Sequence, residues 1–243
     1  EGYQDPIHLL EMSRGKTLFI TGTDTGAGKT VLTALLLAHL RSQGVNAFAM
    51  KPICTGPRSD IRLLQSLQRG ELNDDEMNPF WYHTPVAPIV AAKDSLRKPT
   101  LARLNKSIQV LRERCDMLLV EGAGGLMVPL AKKLTWEGLV KSLECTVLVA
   151  AKNQLGVINH GLLTINRLQT IGVKHFGFCL IDHRQVRKRD STEAENLQIM
   201  SKFSRECPVF KIPSMGSGRV NLEKIKVSQK KFKKSLAQIL EIV

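Results

Sequence analysis

The chain has 243 residues, 43% of them hydrophobic and 5% aromatic, and carries a net charge of +13. That is enough for one sizeable core, and no apolar run approaches the roughly 18 residues of a membrane span, so no membrane partner is expected. The positive charge is spread along the chain and is densest at HRQVRKRD (183–190) and KIKVSQKKFKK (224–234). No helix-turn-helix, RNP or aromatic-interleaved basic pattern accompanies it, so it implies a general affinity for anions and no nucleic-acid partner.

Residues 1–15 lack an initiator Met and a signal-peptide pattern, and are read as an expression scar or loose extension ahead of a single domain over 16–243. Five scattered cysteines without a CxxC pair indicate a reduced, cytoplasmic chain without a zinc site. The first strand is expected at 17–21. It runs into Gly22-Thr-Asp-Thr-Gly-Ala-Gly28-Lys29-Thr30, and a helix follows over 29–43. A glycine-rich loop between strand and helix, closing on Gly-Lys-Thr, is the context of a phosphate loop. Its backbone N–H groups and the helix start would cradle phosphates, with Lys29 on the β- and γ-phosphates and Thr30 on Mg²⁺. The usual pattern has four residues between the first Gly and Gly-Lys-Thr; this chain has five. A chance glycine turn is the alternative, and the flanking elements argue against it. The chain is therefore expected to bind a nucleoside triphosphate.

A second strand at 47–50 ends on Lys51-Pro52-Ile53-Cys54-Thr55-Gly56. If it neighbours the first strand, Lys51 points toward a γ-phosphate. Ser59-Asp60 opens a helix over 59–69, where Asp60 suits a helix start and, beside phosphates, a metal. The polar, proline-rich stretch 70–99 is read as an excursion over the active face. After a helix at 100–114, the strand at 117–120 delivers Glu121 into a second small-residue loop, Gly122-Ala123-Gly124-Gly125. A carboxylate at such a strand end is a candidate metal ligand. Helices at 135–143, 157–171, 190–203 and 222–241 alternate with strands at 146–150, 176–181 and 209–212. Short apolar strands alternating with helices imply a doubly wound α/β fold, a mostly parallel sheet with helices on both faces and ligands at the carboxyl ends of its strands.

The pieces GTDTGAGKT (22–30), KPICTG (51–56), SD (59–60), TPVAPIVAA (84–92), VEGAGGLMVPL (120–130) and LGVINHGLLT (155–164) resemble, in order, the dethiobiotin synthetase family. The resemblance runs from about residue 16 to about 213. It implies a ligase of biotin synthesis that joins 7,8-diaminopelargonate, CO₂ and ATP through a carbamate and a carbamic-phosphoric anhydride. It further implies catalytic roles for Lys51, Lys29 and Thr25, and Mg²⁺ held by Thr30, Asp60 and Glu121. The nucleotide would meet Gly26, Ala27, Gly28, Lys29, Thr30, Val31, Asp60, Glu121, Gly122, Ala123, Gly124, Ile181, Asp182, Ile212, Pro213 and Ser214. The substrate would meet Thr25, Lys51, Thr55, Leu155, Gly156 and Asn159, the last three across a homodimer interface. His160, at that helix start, is read as structural.

Two positions depart from the family pattern. Ile181-Asp182 stands where members carry Asn-Asp for adenine, so the base preference is left open. Gly26 replaces a Glu common in the loop. Two rivals share the loop class. A partner-stimulated switch ATPase of the chromosome-partitioning or division-site type would want lysine at Asp24. A cobyrinate-type amidotransferase would need a glutaminase domain for which this length has no room.

Overall fold

The computed structural model describes residues 15–183 and 191–243. The expected extension, apart from Gly15, and the basic run 184–190 lie outside the described residues. Strand β1 (Lys16–Gly22) leads through the loop into α1 (Lys29–Ser42), then β2 (Ala47–Met50), β3 (Ile53–Thr55), α2 (Ser59–Leu67), α3 (Asp74–Met77), β4 (Phe80–Tyr82) and α4 (Pro88–Ala91). Next come α5 (Leu101–Arg112), β5 (Met117–Gly125), β6 (Pro129–Ala131), β7 (Leu134–Thr135) and α6 (Trp136–Leu143). The chain closes with β8 (Thr146–Lys152), α7 (Val157–Thr170), β9 (Phe176–Ile181), α8 (Ser191–Phe203), β10 (Val209–Ile212), α9 (Leu222–Lys231) and α10 (Lys233–Leu240).

Six strands form one sheet in the order β10-β9-β8-β1-β5-β2, and every pairing is parallel. Parallel strands need crossover helices, which cover both faces and explain the runs of buried Val, Ile, Leu and Phe. The chain winds one way from β1 to β2 and β5, and the other way to β8, β9 and β10. The loop after β1 therefore sits where the winding reverses, the natural crevice of such a sheet. One expectation is corrected: β2 does not neighbour β1, because β5 lies between them. Met117–Val120 of β5 pair with both strands at once, so this apolar run takes the more buried place between them.

The helix expected over 222–241 is broken at Phe232, whose φ of −100° and ψ of 14° end α9 and whose ring is buried. The excursion 70–99 carries α3, β4 and α4, and β4 pairs with β3 in a small separate sheet. Two short strands, β6 and β7, were not visible in the sequence; they follow the second glycine loop as an antiparallel pair. None of the described helices is long and apolar enough to cross a membrane.

Side chains cap α5, α6 and α9, through Thr100, Thr135 and Asn221. Helices α1 and α7 are capped by Gly28 and Gly156 in the left-handed region, with no side-chain hydrogen bond. Their first-turn N–H groups are thus not claimed by a cap. Phe19 of β1 and Trp136 of α6 pack with ring centroids 5.6 Å apart, and the Trp136 indole N–H donates to Ala123 O at 2.8 Å. This contact ties the second glycine loop to the core.

Helix α7 lies so close to β9 and α8 that a Cβ on Gly161 would fall 2.8 Å from both Met200 Cε and Phe178 Cζ. Gly161→Val is expected to destabilise the fold by about 1–3 kcal/mol through overpacking. A denaturant midpoint equal to that of the unaltered chain would show that the contact has slack.

Candidate active site

At the carboxyl ends of β1, β5 and β2 the structure brings together Thr30, Glu121, Lys51 and Asp60. The Thr30 hydroxyl donates to Glu121 Oε1 at 2.7 Å. Lys51 Nζ lies 2.9 Å from the same oxygen and 2.5 Å from Asp60 Oδ2. Glu121 is fully buried, and its second oxygen, Oε2, has no hydrogen-bond partner among the described residues. Burial alone would lower the Lys51 pKa, but Glu121 and Asp60 outweigh it and hold the ammonium well above the ordinary lysine range.

Lys29 is buried, and its ammonium donates to Asp24 O at 2.9 Å. Here burial dominates and lowers the pKa to about 8. Glu121 partly offsets that, while Lys51 adds repulsion. The site thus holds one firmly charged lysine and one whose pKa is lowered to about 8. Gly28 sits at φ 94°, and a Cβ there would lie 2.7 Å from Ile181 Cδ1, so the loop closes only with glycine at that position.

These groups line a cavity of about 640 Å³. Of the expected residues, Thr25, Gly26, Gly28, Lys29, Thr30, Val31, Lys51, Thr55, Asp60, Glu121, Ala123 and Gly124 are on its wall. Ala27 and Gly122 are not on it. Ala27 is buried in the loop, and Gly122 lies against the Phe19 ring. Leu155, Gly156 and Asn159 are exposed at the start of α7, away from this wall.

Ile181, Asp182, Ile212, Pro213 and Ser214 gather at the ends of β9 and β10. The Asp182 carboxylate already accepts from Asn153 Nδ2 at 2.7 Å and pairs with Lys211 Nζ at 3.1 Å. Ile212 is buried beside Ile181, Pro213 is exposed, and the Ser214 hydroxyl accepts from Gly216 N.

Sequence reasoning missed the brace behind Lys51. Buried Asn78 donates to Lys51 O at 2.8 Å, and Lys51 N donates to Met77 O at 2.9 Å. The excursion does face the cavity, supplying Pro85, Val86, Ala87 and Pro88 to its wall, and Cys54, Pro57, Val128 and His183 complete it. Only a contact map could have found Asn78, because a lone Asn in a polar stretch carries no local signal.

A metal was expected on Thr30, Asp60 and Glu121. No group of three or more His, Cys, Asp or Glu among the described residues could hold one. The Thr30 set offers instead two carboxylates and a hydroxyl around one ammonium, and the unpartnered Glu121 Oε2 is a buried hard oxygen. That donor chemistry suits a hard divalent cation.

A six-stranded parallel sheet with a glycine-capped helix, a buried loop lysine and a buried carboxylate on the neighbouring strand defines a phosphate-loop protein of the nucleoside-triphosphatase class. A family model described as an AAA domain matches residues 16–217. The chain is 35% identical over 176 residues to the ATP-dependent dethiobiotin synthetase BioD of Methanocaldococcus jannaschii, covering 70% of this chain and 82% of that one. It is 34% identical over 200 residues to the BioD of Anaeromyxobacter dehalogenans, covering 81% and 89%. Among solved structures, the MinD–MinC cell division complex of Aquifex aeolicus matches with TM-score 0.58 over 93% of each chain, at 15% identity, a likeness of fold alone. The chain belongs to the dethiobiotin synthetase family, a family of ligases.

Phosphates beside Lys29 would raise its pKa from about 8, so ligand binding takes up a proton above that pH. Affinity for a nucleoside triphosphate is expected to be flat below about pH 7 and to fall by up to roughly tenfold per unit above pH 8. Calorimetry at several pH values, in buffers of different ionisation enthalpy, reads both the affinity and the proton. An affinity that rose with pH would exclude Lys29 as the titrating group.

Proposed function

We propose that the chain closes a ureido ring, converting 7,8-diaminopelargonate, CO₂ and ATP into dethiobiotin, ADP and phosphate in biotin synthesis. The observation that carries this reading is the buried contact of Lys51 with Glu121 at 2.9 Å, beside the phosphate-loop hydroxyl of Thr30. A second buried cation opposite the loop lysine, supplied from the end of β2, favours the approach of an anionic nucleophile to a triphosphate.

In this reading one substrate amine captures CO₂ as a carbamate, whose oxygen attacks the γ-phosphorus. The resulting carbamic-phosphoric anhydride is opened at its carbonyl by the second amine, phosphate leaves, and the five-membered ring closes. Lys51 steadies the carbamate and the transferred phosphoryl from a site already organised around its ammonium. Lys29 lies on the phosphate side, and the hydroxyls of Thr25 and Thr55 on the cavity wall orient the amines and the carbamate. Thr30, Asp60 and Glu121 would hold Mg²⁺, which when bound neutralises charge on the phosphoryl oxygens.

The carboxylate end of the diamine falls to the N-terminus of α7, near Leu155, Gly156 and Asn159, on a partner copy of the chain. Leu155 just before α7, Leu163 on it and Met127 beside it, exposed by 88%, 63% and 56%, support a homodimer that covers this face. We read 16–243 as one domain, since α9 and α10 pack on α1 and β10. Five free cysteines fit a reducing cytoplasm.

The test mixes the chain with bicarbonate, Mg²⁺, the diamine and ATP, and looks for the cyclic urea by mass spectrometry. No product with this diamine would end the proposal. Lys51→Ala is expected to slow product formation by about 10²-fold or more while nucleotide still binds. Wild-type turnover in that variant would remove Lys51 from the mechanism. Glu121→Gln is expected to raise the Mg²⁺ concentration needed for half-maximal rate, and a metal titration reads that directly.

A further inference from the structure

The groups suited to a terminal phosphoryl, Thr30, Glu121 and Lys51, stand on the β5 and β2 side of the phosphate loop. A triphosphate threaded through the loop with its end there must release its nucleoside on the opposite side, toward β8, β9 and β10. The catalytic cavity reaches that side, where His183 at the end of β9 is on its wall. Ile181 touches Gly28 of the loop, and Ile212 pairs with Ile181. Adjacent strands are about 5 Å apart, so the chain leaving β10 runs within a nucleoside's length of the phosphates.

That chain, residues 213–221, is organised around one ammonium. Lys224 Nζ donates to Gly216 O at 3.1 Å, Ser217 O at 2.7 Å and Gly218 O at 3.3 Å. A lysine has three N–H donors, and these three carbonyls use them all. Gly216 and Gly218 stand at φ 84° and 92°, a path that other residues adopt only with strain. Met215 and Val220 pack against the core on either side.

Lys224 itself lies in the first turn of α9, where the helix dipole disfavours a cation. The three carbonyls supply the compensation. Helix α9 is in turn fastened to α1, the helix that leaves the phosphate loop: Ile225 is buried, and Gln229 Nε2 donates to Ser42 Oγ at 3.1 Å. Lys224 thus ties the loop beyond β10 to the framework that carries Lys29 and Thr30.

We propose that Lys224 is a positioning residue for the nucleoside end of the triphosphate, holding loop 213–218 as the side wall of the nucleoside site. This rests on the phosphate-loop reading given under Proposed function. The test compares Lys224→Met with the unaltered full chain, measuring calorimetric affinity for ATP and for inorganic tripolyphosphate, which has no nucleoside. ATP affinity is expected to fall about tenfold and tripolyphosphate affinity to stay the same. In turnover, KM for ATP should rise with kcat within about twofold, and Lys224→Arg should recover most of the loss. Gly218→Ala, whose added Cβ meets nothing within 4 Å and strains only the backbone, should weaken ATP binding in the same selective way.

Unchanged ATP affinity in Lys224→Met would overturn the proposal. So would an equal loss for both ligands, which marks general damage to α1. If the unaltered chain bound neither ligand, the phosphate-site reading would fall first and this proposal with it.

Discussion

Glu121 is a fully buried carboxylate that would cost several kcal/mol to keep charged without a partner. Lys51 and the Thr30 hydroxyl meet the same one of its oxygens, at 2.9 and 2.7 Å, and Asp60 completes the pairing from α2. This one contact joins the phosphate loop, the second glycine loop and the end of β2. It also leaves one buried oxygen, Glu121 Oε2, without a hydrogen-bond partner among the described residues. The site is charged and organised before any ligand arrives, so little reorganisation remains for the moment of reaction.

The all-parallel sheet is what makes that contact possible. Every strand of the main sheet ends on the same edge, so residues 30, 51 and 121, distant in sequence, come within hydrogen-bond reach. Crossover helices bury both faces and push polar chemistry to that edge. The excursion between α2 and α5 then does two jobs. Asn78 fixes the backbone of Lys51 from behind, and Pro85 to Pro88 wall the cavity in front.

The resemblance of fold to MinD, at 15% identity, and of sequence to dethiobiotin synthetases, at 34–35%, separates scaffold from chemistry. A phosphate loop on this sheet serves many activities. What distinguishes this chain is the company kept by the loop. Position 24 is Asp, whose backbone carbonyl accepts the Lys29 ammonium, and the second cation comes from the end of β2.

Local sequence was enough for the alternation of strands and helices, the phosphate loop, and the identities of Lys51, Asp60 and Glu121. Each is carried by short-range pattern: a glycine run, an apolar run, a charge at the end of one. Strand order was not legible, because sequence spacing does not say that β5 inserts between β1 and β2. The same holds for the Asn78 brace and the Lys224 clamp, whose partners are backbone carbonyls that any sequence possesses. The commitment of Asp182 to Asn153 and Lys211 is also tertiary, since it spans three separate elements. Chemistry-bearing side chains were written in the sequence; which backbone and which countercharge each one meets was decided by packing, because only the closed sheet fixes those distances.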